Sequence, residues 1–183
     1  ITETSNFWGC MNSCTILDPV IELYTLTKKP EYLDFAKYII STGGCSNGDL
    51  LATALENKLM PFEYPQVKAY EMMSCYEGLL ELYKLTGEET YLKAVEATVK
   101  TIIEQEINIA GSGSAFECWY GGAERQTMAT YHTMETCVTF TWMQLCNRLL
   151  HITRDVALAD QLEKTIYNAL LASLRGDGGQ ISK

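Results

Sequence analysis

Basic residues are scarce in this chain of 183 amino acids: Lys and Arg together number 14 against 23 Asp and Glu, a formal charge of −9, and they form no basic run. The phosphate-neutralising field that nucleic-acid binding requires is therefore missing. No apolar stretch approaches the roughly 20 residues of a membrane span, and the opening ITETSNFWG lacks the charged start and apolar core of a signal peptide. Sustained strand-like alternation is also absent. The seven cysteines, at 10, 14, 45, 75, 118, 137 and 146, are an odd number in a chain too long to need staples, so a disulfide framework is not indicated. Cys10 and Cys14 are spaced like half of a zinc site, but no second pair follows at suitable spacing.

What remains reads as all-α. Apolar residues recur at intervals of three and four in PVIELYTL (19–26), YLDFAKYII (32–40), YEGLLELYKL (76–85), YLKAVEATVKTII (91–103), FTWMQLCNRLL (140–150) and ALADQLEKTIYNALLASL (157–174). Gly43 with Gly44, Gly87 and Gly176 punctuate helix ends. Pro61 and Pro65 mark a break before a helix expected from about Gln66. Cys75, Cys146, Trp142 and the MMSC stripe at 72–75 are expected in the core, and His151 in a loop between helices.

A repeat emerges when these segments are stacked. ELYTLTKKPEYL starts at Glu22 and ELYKLTGEETYL at Glu81, with the same Leu-Tyr pair, Leu-Thr helix end and Tyr-Leu opening. A weaker third copy, LLHITRDVALAD, places Ile152-Thr153 where Leu85-Thr86 stood. Each copy is a helical hairpin that must cover its apolar faces against its neighbours. Tetratricopeptide, ankyrin and HEAT units run roughly 33 to 47 residues, and the longer spacing here leaves room for long inter-hairpin loops. Three hairpins over residues 1–183 point to part of a toroid of α-hairpins, with the remainder lying outside this chain; the start and the Gly-rich end RGDGGQISK read as cuts.

The chemically informative interval is AGSGSAFECWYGGAERQTMATYHTMETC, 110–137. A loop this long within a compact helical domain is usually functional or disordered, and its aromatics, Trp119, Tyr120 and Tyr131, argue against disorder. Of its carboxylates and thiols, Glu117, Glu135 and Cys137 are the ones with chemical potential. On a regular helix, residues two apart point about 200° away from each other, so Glu135 and Cys137 can share a ligand only if the backbone there is extended or only beginning to coil. Thr133 and Thr136 are credible caps that place the helix start at or after the pair. Thiolate and carboxylate both suit zinc; a capping Glu beside a buried Cys fits the same spacing, and Glu117 is either a catalytic acid or a solvating loop residue.

The run GSGSAFECW followed by METCVTFTWMQLCNRLLHITRDVALADQLEKTIYNALLAS resembles the catalytic region of the β-L-arabinofuranosidase family, glycoside hydrolase family 127 and its relatives. The likeness extends to PVIELYTLTKKPEYLDFAKYII and EGLLELYKLTGEETYL, with Glu-Thr-Cys ahead of a long helix as its most specific element. The resemblance implies an (α/α)6 barrel and a retaining glycosidase acting on a carbohydrate substrate. It implies Glu135 and Cys137 as zinc ligands, Glu117 as acid/base, and a zinc-bound Cys nucleophile downstream of Lys183. Zinc would keep that thiol deprotonated, and shielding by Phe116 and Trp119 would let Glu117 hold its proton near neutral pH. Lys68 stands where the family usually has a His facing the sugar, which leaves the sugar open, and Cys118 beside Glu117 departs from the pattern. Weaker substrate contacts are Trp8 and Trp119, as stacking walls or partly buried packing, and His132. Two rivals share the architecture: a zinc-independent toroid lyase or sugar epimerase, and a non-catalytic helical-repeat scaffold. The expected partners are the carbohydrate, the rest of the barrel or a second copy, with neither nucleic acid nor membrane.

Overall fold

The computed structural model describes residues 7–46, 48–125, 133–174, 176 and 177. A 3-10 segment, Phe7–Ile16, leads into α1 (Leu17–Thr27), which pairs with α2 (Pro30–Ser41). A two-residue antiparallel ribbon, β1 (Gly44–Cys45) with β2 (Gly48–Asp49), precedes the short α3 (Leu50–Glu56). The second hairpin is α4 (Ala69–Thr86) with α5 (Glu89–Gln105); after the one-turn α6 (Gly122–Arg125) comes the third, α7 (Thr136–Thr153) with α8 (Val156–Thr165). A π-turn, Ile166–Leu170, and the single turn α9 (Leu171–Ser173) follow.

The three hairpins turn on the same corner. Each first helix ends on a Thr whose hydroxyl donates back to the carbonyl four residues earlier: Thr27 to Leu23, Thr86 to Leu82 and Thr153 to Leu149, at 2.7, 2.7 and 3.0 Å. The next residue is left-handed in all three, Lys28 at φ 58°, Gly87 at 72° and Arg154 at 62°. Its amide closes the helix onto Tyr24, Tyr83 or Leu150. The following amide then donates to the Thr hydroxyl at 3.2 to 3.3 Å. This left-handed stop is the usual helix C-terminus, and its threefold use makes the weak third copy a true structural repeat.

Hairpins pack side by side, with α4 against α1 on one flank and α7 on the other, while α2, α5 and α8 each cover their own partner. Position dictates composition. The central α4 buries residues all round, including Met72, Met73, Cys75, Tyr76, Leu79, Leu80 and Leu82. The outer α5 buries one stripe, Ala94, Val95, Thr98, Val99, Thr101 and Ile102. Each large apolar side chain so buried contributes about 1.5 to 3 kcal/mol. Gly78 on α4 packs directly against α1, where an added Cβ would lie 2.5 Å from Leu17 Cγ. Cys75, Cys146 and Trp142 are core, as expected; Cys14 is core too, its thiol donating to the Met11 carbonyl at 2.8 Å.

Four local expectations need correction. The helix expected from Gln66 begins at Ala69, because the preceding residues are drawn out as an extended partner of the Gly-rich loop. His151 belongs to the last turn of α7. The helix expected over 157–174 is broken at 166–170 by a π-turn whose Ala169 amide donates to the Ala110 carbonyl. And α3 lay in a stretch with no helical assignment, started by the Asp49 side chain accepting from the Ala52 amide.

A loop stapled across two helix starts: the candidate active site

The Gly-rich loop lies over the N-terminal ends of α4 and α7 and is held at several points between residues 108 and 122. At its entry, the Asn108 side chain accepts from the Ala110 and Ser112 amides. Thr165 donates to the Gly111 carbonyl at 2.6 Å, and Gly111, at φ +85°, passes so close that a Cβ would meet the Thr165 backbone at 2.8 Å. Ser112 and Thr139 share a hydroxyl hydrogen bond at 2.7 Å. Further on, the loop pairs with the lead-in to α4: the Trp119 amide donates to the Val67 carbonyl at 2.8 Å and the Ala69 amide to the Glu117 carbonyl at 2.9 Å. Phe116 and Glu117 are consecutive non-glycine residues in the left-handed region, at φ 50° and 69°. That conformation costs a side-chain-bearing residue free energy and persists where surroundings over-determine it.

Glu135 is the pivot. It is the N-cap of α7, with extended ψ of 139°, so the helix starts between the two residues of the Glu-Thr-Cys motif. Neither Thr133 nor Thr136 is the cap. The Glu135 side chain makes no capping bond to its own helix and turns to the loop: Ser114 donates its hydroxyl to Oε2, and the Glu117 amide donates to Oε1 at 2.8 Å. Cys137, in the first turn, is exposed. Burial pushes its thiol up, the carboxylates of Glu135 and Glu117 push it further, and the amides at the helix start oppose them. Cys118 is pushed up to about 11, first by burial and then by Glu117, with Lys68 opposing.

Lys68 occupies the equivalent position at the start of α4. Its ammonium is 2.7 Å from Glu71 and 3.3 Å from Glu117. Burial works against the charge, but the two carboxylates outweigh it and raise the pKa. One cation thus faces two carboxylates, Glu71 and Glu117, and the second of these is tied through its backbone amide to Glu135 at the other helix start.

Of the sequence-derived candidates, Glu117, Lys68, Glu135 and Cys137 come together here. Trp119 does not present a stacking face: it is 2% exposed, with its ring against Gly113, where a Cβ would meet Cζ3 at 2.8 Å. The shielding expected for Glu117 is likewise missing, since Phe116 is 56% exposed, Trp119 points inward and the Glu117 side chain itself is 55% exposed. Trp8 lies in the 3-10 segment, its side chain outside what is described, and His132 lies outside the described residues. Sequence reading missed Glu71, Ser114 and Glu106. A Glu three residues after Lys68, spaced for a helical ion pair, was the available signal for Glu71; the other two bind partners that carry no mark in sequence.

Zinc, the metal the motif implies, can be tested against the donors present. A carboxylate oriented by outer hydrogen bonds from Ser114 and the Glu117 amide, next to an accessible thiol at a loose helix start, has the chemistry and preparation of a ligand pair. The pair is not a complete set: among the described residues no three His, Cys, Asp or Glu side chains are grouped to hold a metal.

The model of the β-L-arabinofuranosidase GH127 catalytic domain matches residues 9–182. No curated relative matches the sequence. Among solved structures, a protein described as a glycoside hydrolase is 21% identical with a TM-score of 0.67, covering 99% of this chain and 32% of its own. A GH127 β-arabinofuranosidase is 25% identical with a TM-score of 0.67, covering 88% and 26% respectively. A GH127 β-L-arabinofuranosidase from Geobacillus stearothermophilus T6 is 18% identical with a TM-score of 0.63, covering 91% and 29%. This chain therefore spans about a third or less of the length of those structures. With its hairpins packed as an arc of an α/α toroid and the family model matching nearly its entire length, the chain belongs to the GH127 β-L-arabinofuranosidase catalytic-domain family.

Proposed function

We propose that this chain contributes the acid/base half of a retaining glycoside hydrolase site, with the rest of an (α/α)6 barrel and the nucleophile supplied from outside residues 1–183. The carrying observation is the meeting of Glu117, Lys68 and Glu135 where the Gly-rich loop crosses the two helix starts. In this reading Glu117 protonates the leaving glycosidic oxygen and later takes a proton from water, the two roles a retaining mechanism assigns to one carboxyl group. Its carboxylate is exposed enough to meet a glycan and is placed by the Lys68 ammonium. The hydrogen bond from the Glu117 amide to the Glu135 carboxylate fixes the acid relative to the proposed metal ligand.

Glu135 and Cys137 would hold zinc together with ligands from beyond this chain. Zinc, when bound, keeps coordinating thiols ionised at neutral pH. Without a cation, Cys137 is pushed towards its protonated form by burial and two neighbouring carboxylates. The substrate is a glycan with an arabinofuranose-like or related sugar, its identity left open by Lys68 at the position facing it.

Zinc titration followed by metal analysis tests the ligand assignment. The assembled barrel should retain zinc, and Glu135→Ala and Cys137→Ser should each weaken its retention by 10-fold or more; metal content indifferent to both changes would remove the assignment. Glu117→Gln, in contrast, should leave zinc content unchanged while abolishing hydrolysis of aryl arabinofuranosides by the assembled barrel.

A further inference from the structure

Glu106, the residue after α5, is fully buried and plays no part in the chemistry above. Its Oε2 accepts three successive backbone N–H groups, from Tyr120 at 3.1 Å, Gly121 at 2.8 Å and Gly122 at 3.4 Å. The Phe62 amide faces the same carboxylate. The loop also touches this residue at its other end. The Glu106 main-chain carbonyl lies 3.0 Å from where a Cβ at Gly113 would be, and 2.8 Å from one at Gly122. Glu117 is therefore carried on a segment whose two ends both close on Glu106.

We propose that Glu106 is a positioning residue for the candidate site: by binding the amides of residues 120–122, its carboxylate fixes the downstream end of the loop and so keeps Glu117 beside Lys68 and Glu135. The chemistry of the acceptor explains the choice of residue. Three donors converge on Oε2, and a carboxyl group leaves that oxygen free to accept them whether it is ionised or carries its proton on Oε1. A Gln would place an NH2 group in a fully enclosed site already faced by the Phe62 amide, setting donor against donor. An Asp keeps the carboxyl group but is one methylene too short to reach all three amides. Between Tyr120 and Glu117 the chain has little slack, because the Trp119 amide is bonded to Val67 and its ring is buried against Gly113. With the clamp at 120–122 released, the Trp119 anchor alone holds the downstream end of the segment that carries Glu117.

This inference rests on the reading of Glu117 as a group that acts at the site, yet it is tested without any substrate. Amide hydrogen exchange resolved along the chain would be compared for wild type, Glu106→Gln and Glu106→Asp, with urea unfolding recorded on the same samples. Glu106→Gln should accelerate exchange over 117–122 by 10-fold or more, with the core amides of α4 and α7 changed far less, and Glu106→Asp should fall between. Uniform acceleration throughout α4 and α7 would make Glu106 an ordinary buried group and overturn the proposal. Should the Gln variant fail to fold, the Asp variant decides, since wild-type protection over 117–122 would equally overturn it. Loss of hydrolysis alone would bear on Glu117 and leave this outcome untouched.

Discussion

The backbone amide of Glu117 donates to Oε1 of Glu135 at 2.8 Å, tying the candidate acid to the candidate metal ligand through main chain rather than side chain. The relation holds two functional groups in fixed register while leaving the Glu117 carboxylate free to reach Lys68. The charged features away from this bond make the protein open to test.

Arg148 joins the three first helices. It is bidentate to Asp18 of α1 at 2.8 and 2.9 Å and lies 3.1 Å from Glu81 and 3.5 Å from the buried Glu77 of α4. At about pH 8, where Glu77 is ionised beside Arg148, Arg148→Met should destabilise the chain by about 3 kcal/mol, chiefly by leaving Glu77 without a cation. Adding Glu77→Gln should recover part of that loss. Urea unfolding of the two single variants and the double variant measures the coupling.

Two buried carboxyl groups give stability an unusual dependence on pH. Burial pushes Glu77 up to about 7 despite the Arg148 cation, with Asp18 and Glu81 adding to the rise. Burial likewise raises Glu106 to about 7 against its backbone hydrogen bonds. Both folded values exceed the ordinary value of 4.5. Between about pH 4.5 and 7 the folded chain therefore holds more protons than the unfolded one, and stability falls as pH rises through that window. Each group contributes up to roughly 3 kcal/mol. Urea midpoints from about pH 5 to 8 should decline accordingly, and Glu77→Gln should flatten part of the slope; a rising midpoint would contradict the assignment.

The hairpin corners offer a third test. Lys28 and Arg154 adopt the left-handed conformation that Gly87 occupies in the middle copy. Replacing either with Gly should stabilise the chain by about 0.5 to 1 kcal/mol, whereas Gly87→Ala should cost about 1 kcal/mol although no atom lies within 4 Å of the added methyl. Thermal melts of the three variants would rank them.

How far the sequence reveals these features depends on what kind of contact makes them. The corners were legible because Leu-Thr and Tyr-Leu are local patterns, and α4, α5 and α7 because apolar periodicity reports burial directly. Glu-Thr-Cys was legible as a motif, but the turning of Glu135 towards the loop was not, since Ser114 and the Glu117 amide are distant in sequence. The π-turn depends on a bond from Ala169 to Ala110, and the left-handed Phe116 and Glu117 carry no glycine to announce them. Trp119 admitted both a sugar platform and packing, and the structure favours packing for a related reason: Gly113, distant from any local pattern, leaves the space that draws the ring inward.

Anchoring through peptide groups has an evolutionary reading. Glu106 and Glu135 grip N–H groups that every residue except proline possesses, so the exposed side chain at Phe116 and the half-buried ones at Cys118 and Tyr120 can be exchanged without removing those bonds. A lineage, or an engineer, can retune what those positions recognise while inheriting the same scaffold intact.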